Sequence, residues 1–92
     1  MYKQRVTVRN KTGLHARPAS EFVKGASKYS SRIKILNVKN EDEEANAKSI
    51  VMVLSLCLVQ GSEVEIRAVG SDEKEAVEAL VSLIEGGFGE LE

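Results

Sequence analysis

The sequence is short of most residues that do chemistry. It holds one histidine, one cysteine, one proline and no tryptophan, and its 92 residues include only two tyrosines and two phenylalanines. A single cysteine cannot close an internal disulfide, so nothing points to an oxidising compartment. One histidine and one cysteine cannot supply a usual zinc site, so no metal is expected. A chain of 10.1 kDa should bury roughly 60–65% of its unfolded surface. That is enough for one thin core and too little for a large internal cavity, so no cofactor is expected and residues 1–92 read as a single domain. Residues 1–6 lack an apolar stretch, so no signal peptide is expected. The longest apolar run, residues 50–59, contains Ser55 and is too short to cross a bilayer. A cytoplasmic, monomeric protein is the expectation.

Net charge is also small, at −1, but the sum conceals a division. Residues 1–39 carry ten Lys/Arg against Glu21 alone, and residues 40–92 carry thirteen Asp/Glu against Lys48, Arg67 and Lys74. Such asymmetry accompanies basic docking faces and nucleic-acid contact. The plainer expectation is that the halves interleave and largely neutralise each other, leaving room for a local basic patch.

What is present is periodicity. Residues 2–9 alternate, with Tyr2, Gln4, Val6 and Val8 on one side, as in a half-buried strand. Residues 10–13 read as a turn. Ala19, Phe22, Val23 and Ala26 then fall on one helical face, with Pro18 in the first turn, where its missing N–H costs nothing. That helix should end near residue 28 or 29. Ile33 and Ile35 begin a second strand through about Val38. Residues 40–44 (Asn-Glu-Asp-Glu-Glu) read as an acidic turn before a short extended piece at 45–47. Residues 50–59 suit a short buried helix capped by Ser49 and ended by Gln60-Gly61, although a buried strand fits the same run. Residues 63–69 alternate again. Ser71-Asp72-Glu73 opens a last helix with an apolar stripe of Val77, Leu80, Val81 and Ile84, and Gly86-Gly87 closes it before a short tail at 88–92. Half-buried strands and amphipathic helices imply a two-layer α+β sandwich.

The lone histidine and lone proline lie three residues apart, in Gly13-Leu14-His15-Ala16-Arg17-Pro18-Ala19. His15 falls at or next to an N-cap, where free backbone N–H groups and the positive helix pole favour anions such as phosphate. The same pole repels a positive ring, so a neutral, nucleophilic imidazole is the form expected there. Arg17 adds a guanidinium fork suited to phosphate oxygens, and Gly13 gives the loop conformational freedom. Imidazole forms covalent phosphoryl intermediates, and phosphoryl transfer asks mainly for positioning and charge stabilisation. The bland alternative is a surface histidine beside a solvated arginine.

The segment Gly13–Ala19 resembles the phosphorylation-site motif of HPr, the histidine-containing phosphocarrier of the phosphoenolpyruvate-dependent phosphotransferase system. The resemblance continues through Ser20-Glu21-Phe22-Val23-Lys24 and Ala26-Ser27-Lys28-Tyr29. It resumes at Ala47-Lys48-Ser49-Ile50, Leu54-Ser55-Leu56, Gln60-Gly61 and Glu75-Ala76-Val77-Glu78-Ala79-Leu80, covering nearly the whole chain. It implies an open-faced β-sandwich, a four-stranded antiparallel sheet covered on one face by three helices. It also implies a carrier without independent turnover. His15 would accept a phosphoryl group on Nδ1 from phospho-enzyme I and pass it to an enzyme IIA domain, with Arg17 steadying the phosphate. Ser49 matches the family's regulatory serine, a substrate of HPr kinase/phosphorylase, and equally reads as a helix cap. Ala16, Ser20, Lys24, Lys48, Ile50, Val51 and Leu54 match the partner-binding surface, while Val53, Leu56 and Cys57 are expected in the core. The acidic residues at 41–44, Val51-Met52 and the Gly86-Gly87-Phe88-Gly89 ending depart from typical sugar-system members. The Gly86–Gly89 ending, with the Glu/Ala/Asn run before Ser49, resembles instead the nitrogen-related branch (NPr), a regulatory phosphocarrier without a transport role.

Two rival classes fit less well. A small enzyme would need a pocket and a second catalytic group beside His15, and only Arg17 is near. An RNA-binding module would need aromatic stacking residues on its strands, and Tyr2 is the only aromatic expected on one. No nucleic-acid partner and no membrane insertion are therefore expected.

Overall fold

Strand alternation and helical stripes resolve into two layers. In the computed structural model, which describes residues 1–90, the order is β1 (Tyr2–Thr7), α1 (Ala16–Ser27), β2 (Arg32–Asn37), β3 (Asn40–Asn46), α2 (Ile50–Ser55), β4 (Glu63–Val69) and α3 (Glu73–Glu85). The four strands form one sheet in the order β1-β4-β2-β3, with every pair antiparallel. β4 thus inserts between β1 and β2, and α1 spans the place it takes. The helices pack on one face only, giving the expected open-faced α+β sandwich.

The core follows from the alternation. Val6, Ile33, Ile35, Val64, Ile66 and Ala68 point from the sheet toward Phe22, Ala26, Val77, Leu80 and Ile84 of the helices. Phe22, Ile33, Ile66 and Leu80 are among the largest side chains fully withdrawn from water. Among the described residues no helix is long and apolar enough to cross a membrane.

Four local expectations need correction. Residues 40–44 are not a turn; they belong to β3, which pairs with the second half of β2 and leaves only Val38-Lys39 as the connection. An edge strand tolerates charge, because one face is solvated and charge discourages edge-to-edge association. Cross-strand pairing here overrides the poor strand propensity of Asn, Asp and Glu. The helix expected over 50–59 stops at Ser55, with Leu56 as C-cap, and only Val53 of α2 is buried. Leu56 is buried as expected, but Cys57 is exposed, because it sits just past the helix end with φ +51°. The tail at 88–92 is not loose at its start. Gly87–Gly89 forms a 3-10 turn that puts Phe88 into the core, and Leu91 and Glu92 lie outside the described residues.

Candidate functional site

The chain enters α1 through a loop pinned from below. The Leu14 N–H donates to the Leu58 carbonyl at 3.0 Å, and Leu14 itself is fully buried. Gly13 has φ +68°, and a Cβ placed there would strike the Leu58 carbonyl oxygen and lie 2.8 Å from Val59 Cα. Glycine is needed at this position both for conformation and for clearance. The loop before His15 therefore rests directly on the segment that follows α2.

His15 is the N-cap of α1, in extended backbone (φ −129°, ψ 160°), and its ring makes no capping hydrogen bond. It is half-buried, and no described residue hydrogen-bonds to it. Ala16 follows with φ +50°, a left-handed conformation that costs a non-glycine residue on the order of 1–2 kcal/mol. This sharp corner converts the extended His15 into helix. The N-terminus of α1 keeps its positive pole uncompensated, because no carboxylate lies in its first turn. α3 differs, with Glu73 and Glu75 in its first turn.

Arg17 worsens the local electrostatics of α1, since a cation near a helix N-terminus opposes the dipole. It is held by neighbours instead. Its guanidinium donates to Glu21 at 2.6 Å, to Glu90 at 3.0 Å and to the Phe88 carbonyl at 3.0 Å. Desolvation lowers the Arg17 pKa, but the hydrogen bonds and charges of Glu21 and Glu90 outweigh it and hold it above its ordinary value. Glu90 in turn accepts from the Thr12 hydroxyl at 2.8 Å and the Asn10 amide at 3.1 Å. These two donors, Thr12 first, keep its carboxyl below the usual range. Asn10 also donates to the Gly13 carbonyl at 2.9 Å and is almost wholly buried. Sequence reasoning missed Asn10, Thr12 and Glu90. The only signal was the polar character of the turn at 10–13, which does not reveal a partner some eighty residues away.

Ser49 is the N-cap of α2, also in extended backbone, and its hydroxyl accepts the Met52 N–H at 3.3 Å. Lys48 beside it donates to the Tyr29 carbonyl at 2.7 Å. α1 packs against α2. Around the two helices Ala16, Ser20 and Lys24 are exposed and Lys48 is half-buried. Ile50, Val51, Met52 and Leu54 are exposed apolar side chains, with Val51 at 73%. Met52 was not among the expected partner residues, because a continuous apolar run does not reveal which members face water.

Comparison with known proteins bears on this arrangement. Residues 2–86 match the family model described as the PTS HPr component phosphorylation site. A phosphocarrier protein NPr from Proteus mirabilis is 40% identical over 95% of this chain and 94% of its own length. A phosphocarrier protein HPr from Neisseria meningitidis serogroup A is 41% identical over 98% of each. The crystal structure of HPr-C-His from Thermoanaerobacter tengcongensis superposes with a TM-score of 0.93 and 48% identity, each chain covered in full.

Proposed function

Because the chain belongs to the HPr component family of the phosphotransferase system and is a phosphocarrier of the HPr type, we propose that His15 carries the phosphoryl group and Arg17 steadies it. The observation behind this is the unused N-cap: an accessible imidazole without a hydrogen-bond partner among the described residues, at an uncompensated helix N-terminus. A ring-nitrogen lone pair forms the new P–N bond as the bond from phosphorus to the donor breaks, and the donor keeps that electron pair. Backbone N–H groups at the start of α1 and the Arg17 guanidinium stabilise the phosphoryl oxygens. Glu90 already accepts from the Arg17 guanidinium, so it competes with the phosphate for that group.

Phospho-enzyme I is the donor in this reading and an enzyme IIA domain the acceptor, in the cytoplasm, with this chain working as a monomer and without turnover of its own. Exposed Ile50, Val51 and Leu54 beside Ala16, Ser20, Lys24 and Lys48 suit transient docking, since apolar anchors ringed by charge make effective hot spots. Ser49 is the proposed regulatory site for an HPr kinase/phosphorylase. A phosphate there adds negative charge to the docking surface while remaining acceptable at a helix start. A sugar-specific IIA is the first choice of acceptor. A nitrogen-type IIA is the second reading, since the chain is as similar to an NPr, at 40% identity, as to an HPr, at 41%.

The test passes label from phosphoenolpyruvate through enzyme I to this protein, then chases it with each IIA type. Label should move on to one IIA at least about a hundredfold faster than to the other. Label that never loads, or loads and moves to neither, would contradict the carrier assignment.

A further inference from the structure

The helices leave one face of the sheet open, and its charges are arranged in a way that folding does not explain. Arg67 of β4 stands in register directly between Lys3 of β1 and Lys34 of β2. Like charges opposed on neighbouring strands destabilise a sheet. Acids neutralise part of the row: Lys34 pairs with Glu44 at 2.8 Å, and Arg67 pairs with Glu65. Arg32, next along β2 on this face, and Lys3 have no hydrogen bond or ion pair with any described residue.

The face is also concave at this place. A cavity of about 310 Å³ is lined by Met1, Arg32, Lys34, Glu44, Arg67 and Val69. A second, of about 290 Å³, adjoins it along Arg32 and Lys34 and extends to Asn46 and Lys48. Four side-chain cations therefore border these two adjoining hollows, together a furrow whose lining contains a single acid, Glu44, itself paired.

We propose that this furrow is a binding site for a compact anion bearing two or more phosphate groups. Size follows from what surrounds the cations. The next row along the sheet is Arg5–Glu65–Leu36–Glu44 in register, where Glu65 pairs with Arg5 and Arg67 and Glu44 pairs with Lys34, so the excess of cations ends after one row. An extended polyanion such as a nucleic acid would run onto those carboxylates, whereas a compact polyphosphate spans only the Arg67, Lys34 and Arg32 heads. Guanidinium groups favour such a ligand through bidentate contacts. The site is separate from the start of α1 and uses none of its residues.

Tripolyphosphate titrated into nitrogen-15-labelled protein at physiological ionic strength tests this, with orthophosphate as control. The expected result is saturable amide shifts confined to β2, β4 and the Lys48 region, with little response to orthophosphate. Arg32→Glu, at an exposed residue without partners, should weaken binding at least about tenfold and leave loading by enzyme I unchanged. Shifts centred on the start of α1, equal binding of orthophosphate, unchanged affinity in Arg32→Glu, or tighter binding of single-stranded RNA on this face would each overturn the proposal. Loading by enzyme I is read separately, so failure here is distinguishable from failure of the carrier assignment.

Discussion

At the start of α2, Ser49 turns its hydroxyl onto the Met52 N–H and closes its own helix end. At the start of α1, His15 holds the same extended backbone but turns its ring to no donor. One N-cap is spent on stability and the other is left open. α1 makes good the loss through tertiary contacts: Leu14 buried beneath it, Gly13 against Leu58, and the Arg17–Glu90–Thr12–Asn10 chain that ties its first turn to the loop and the C-terminal segment. An open cap is tolerable where the surroundings hold the chain in place, and it leaves backbone N–H groups for an incoming anion.

The harshest way to break the contrast is Gly13→Ala. The added methyl meets the Leu58 carbonyl oxygen at a left-handed φ, so stability should fall by about 2–4 kcal/mol and phosphoryl acceptance should fall with it. Urea denaturation checks the first and loading by enzyme I the second. A variant as stable as wild type would mean the loop is not pinned as described.

A gentler test makes the same substitution at both caps. Ser49→Ala should cost about 1 kcal/mol of stability, whereas His15→Ala should cost under about 0.5 kcal/mol because no capping bond is lost. Equal losses in paired thermal melts would remove the distinction. At the other end of α2, Cys57 is exposed at φ +51°, just beyond the helix. Cys57→Gly relieves that conformation and should stabilise the protein by about 0.5–1 kcal/mol, visible as a raised Tm.

The smallest effect concerns the third helix start. Asp72, the N-cap of α3, makes no capping bond either, but spends its carboxylate on the Ser30-Ser31 turn. The Ser31 hydroxyl, then the Ser30 N–H, hold its pKa at about 2 against an ordinary 3.8. With the folded value depressed, its contribution is complete above the ordinary value and fades as pH falls from about 4 to about 2. Asp72→Asn should therefore differ most from wild type in urea midpoint near neutrality and converge with it only below about pH 2. A constant difference across that window would assign the effect to packing instead.

These comparisons also separate what was legible from what was not. The start of α1 could be read because its signals are local: Pro18 in the first turn, the Ala19–Phe22–Val23–Ala26 stripe and His15 just ahead of them. β1, β2 and β4 were legible through their alternation. Of β3 only the end, at residues 45–46, was legible; residues 40–44 were not, since their strand character comes from pairing with β2 rather than from their own Asn, Asp and Glu. The engagement of Arg17 was equally hidden. Glu21 lies one helical turn away and could have been inferred, but Glu90 reaches it only after the sheet and α3 have formed. Periodicity could not choose which side of residues 50–59 faces water either, because nearly every position there is apolar.

The open cap at His15 is the proposed phosphoryl acceptor, and phosphorus-31 NMR after incubation with enzyme I and phosphoenolpyruvate tests that role most directly. Wild type and Ser49→Ala should each show one phosphoramidate signal, lost in acid and stable in alkali, and His15→Ala should show none. A signal that survives in His15→Ala, or one that disappears in Ser49→Ala, would contradict the account.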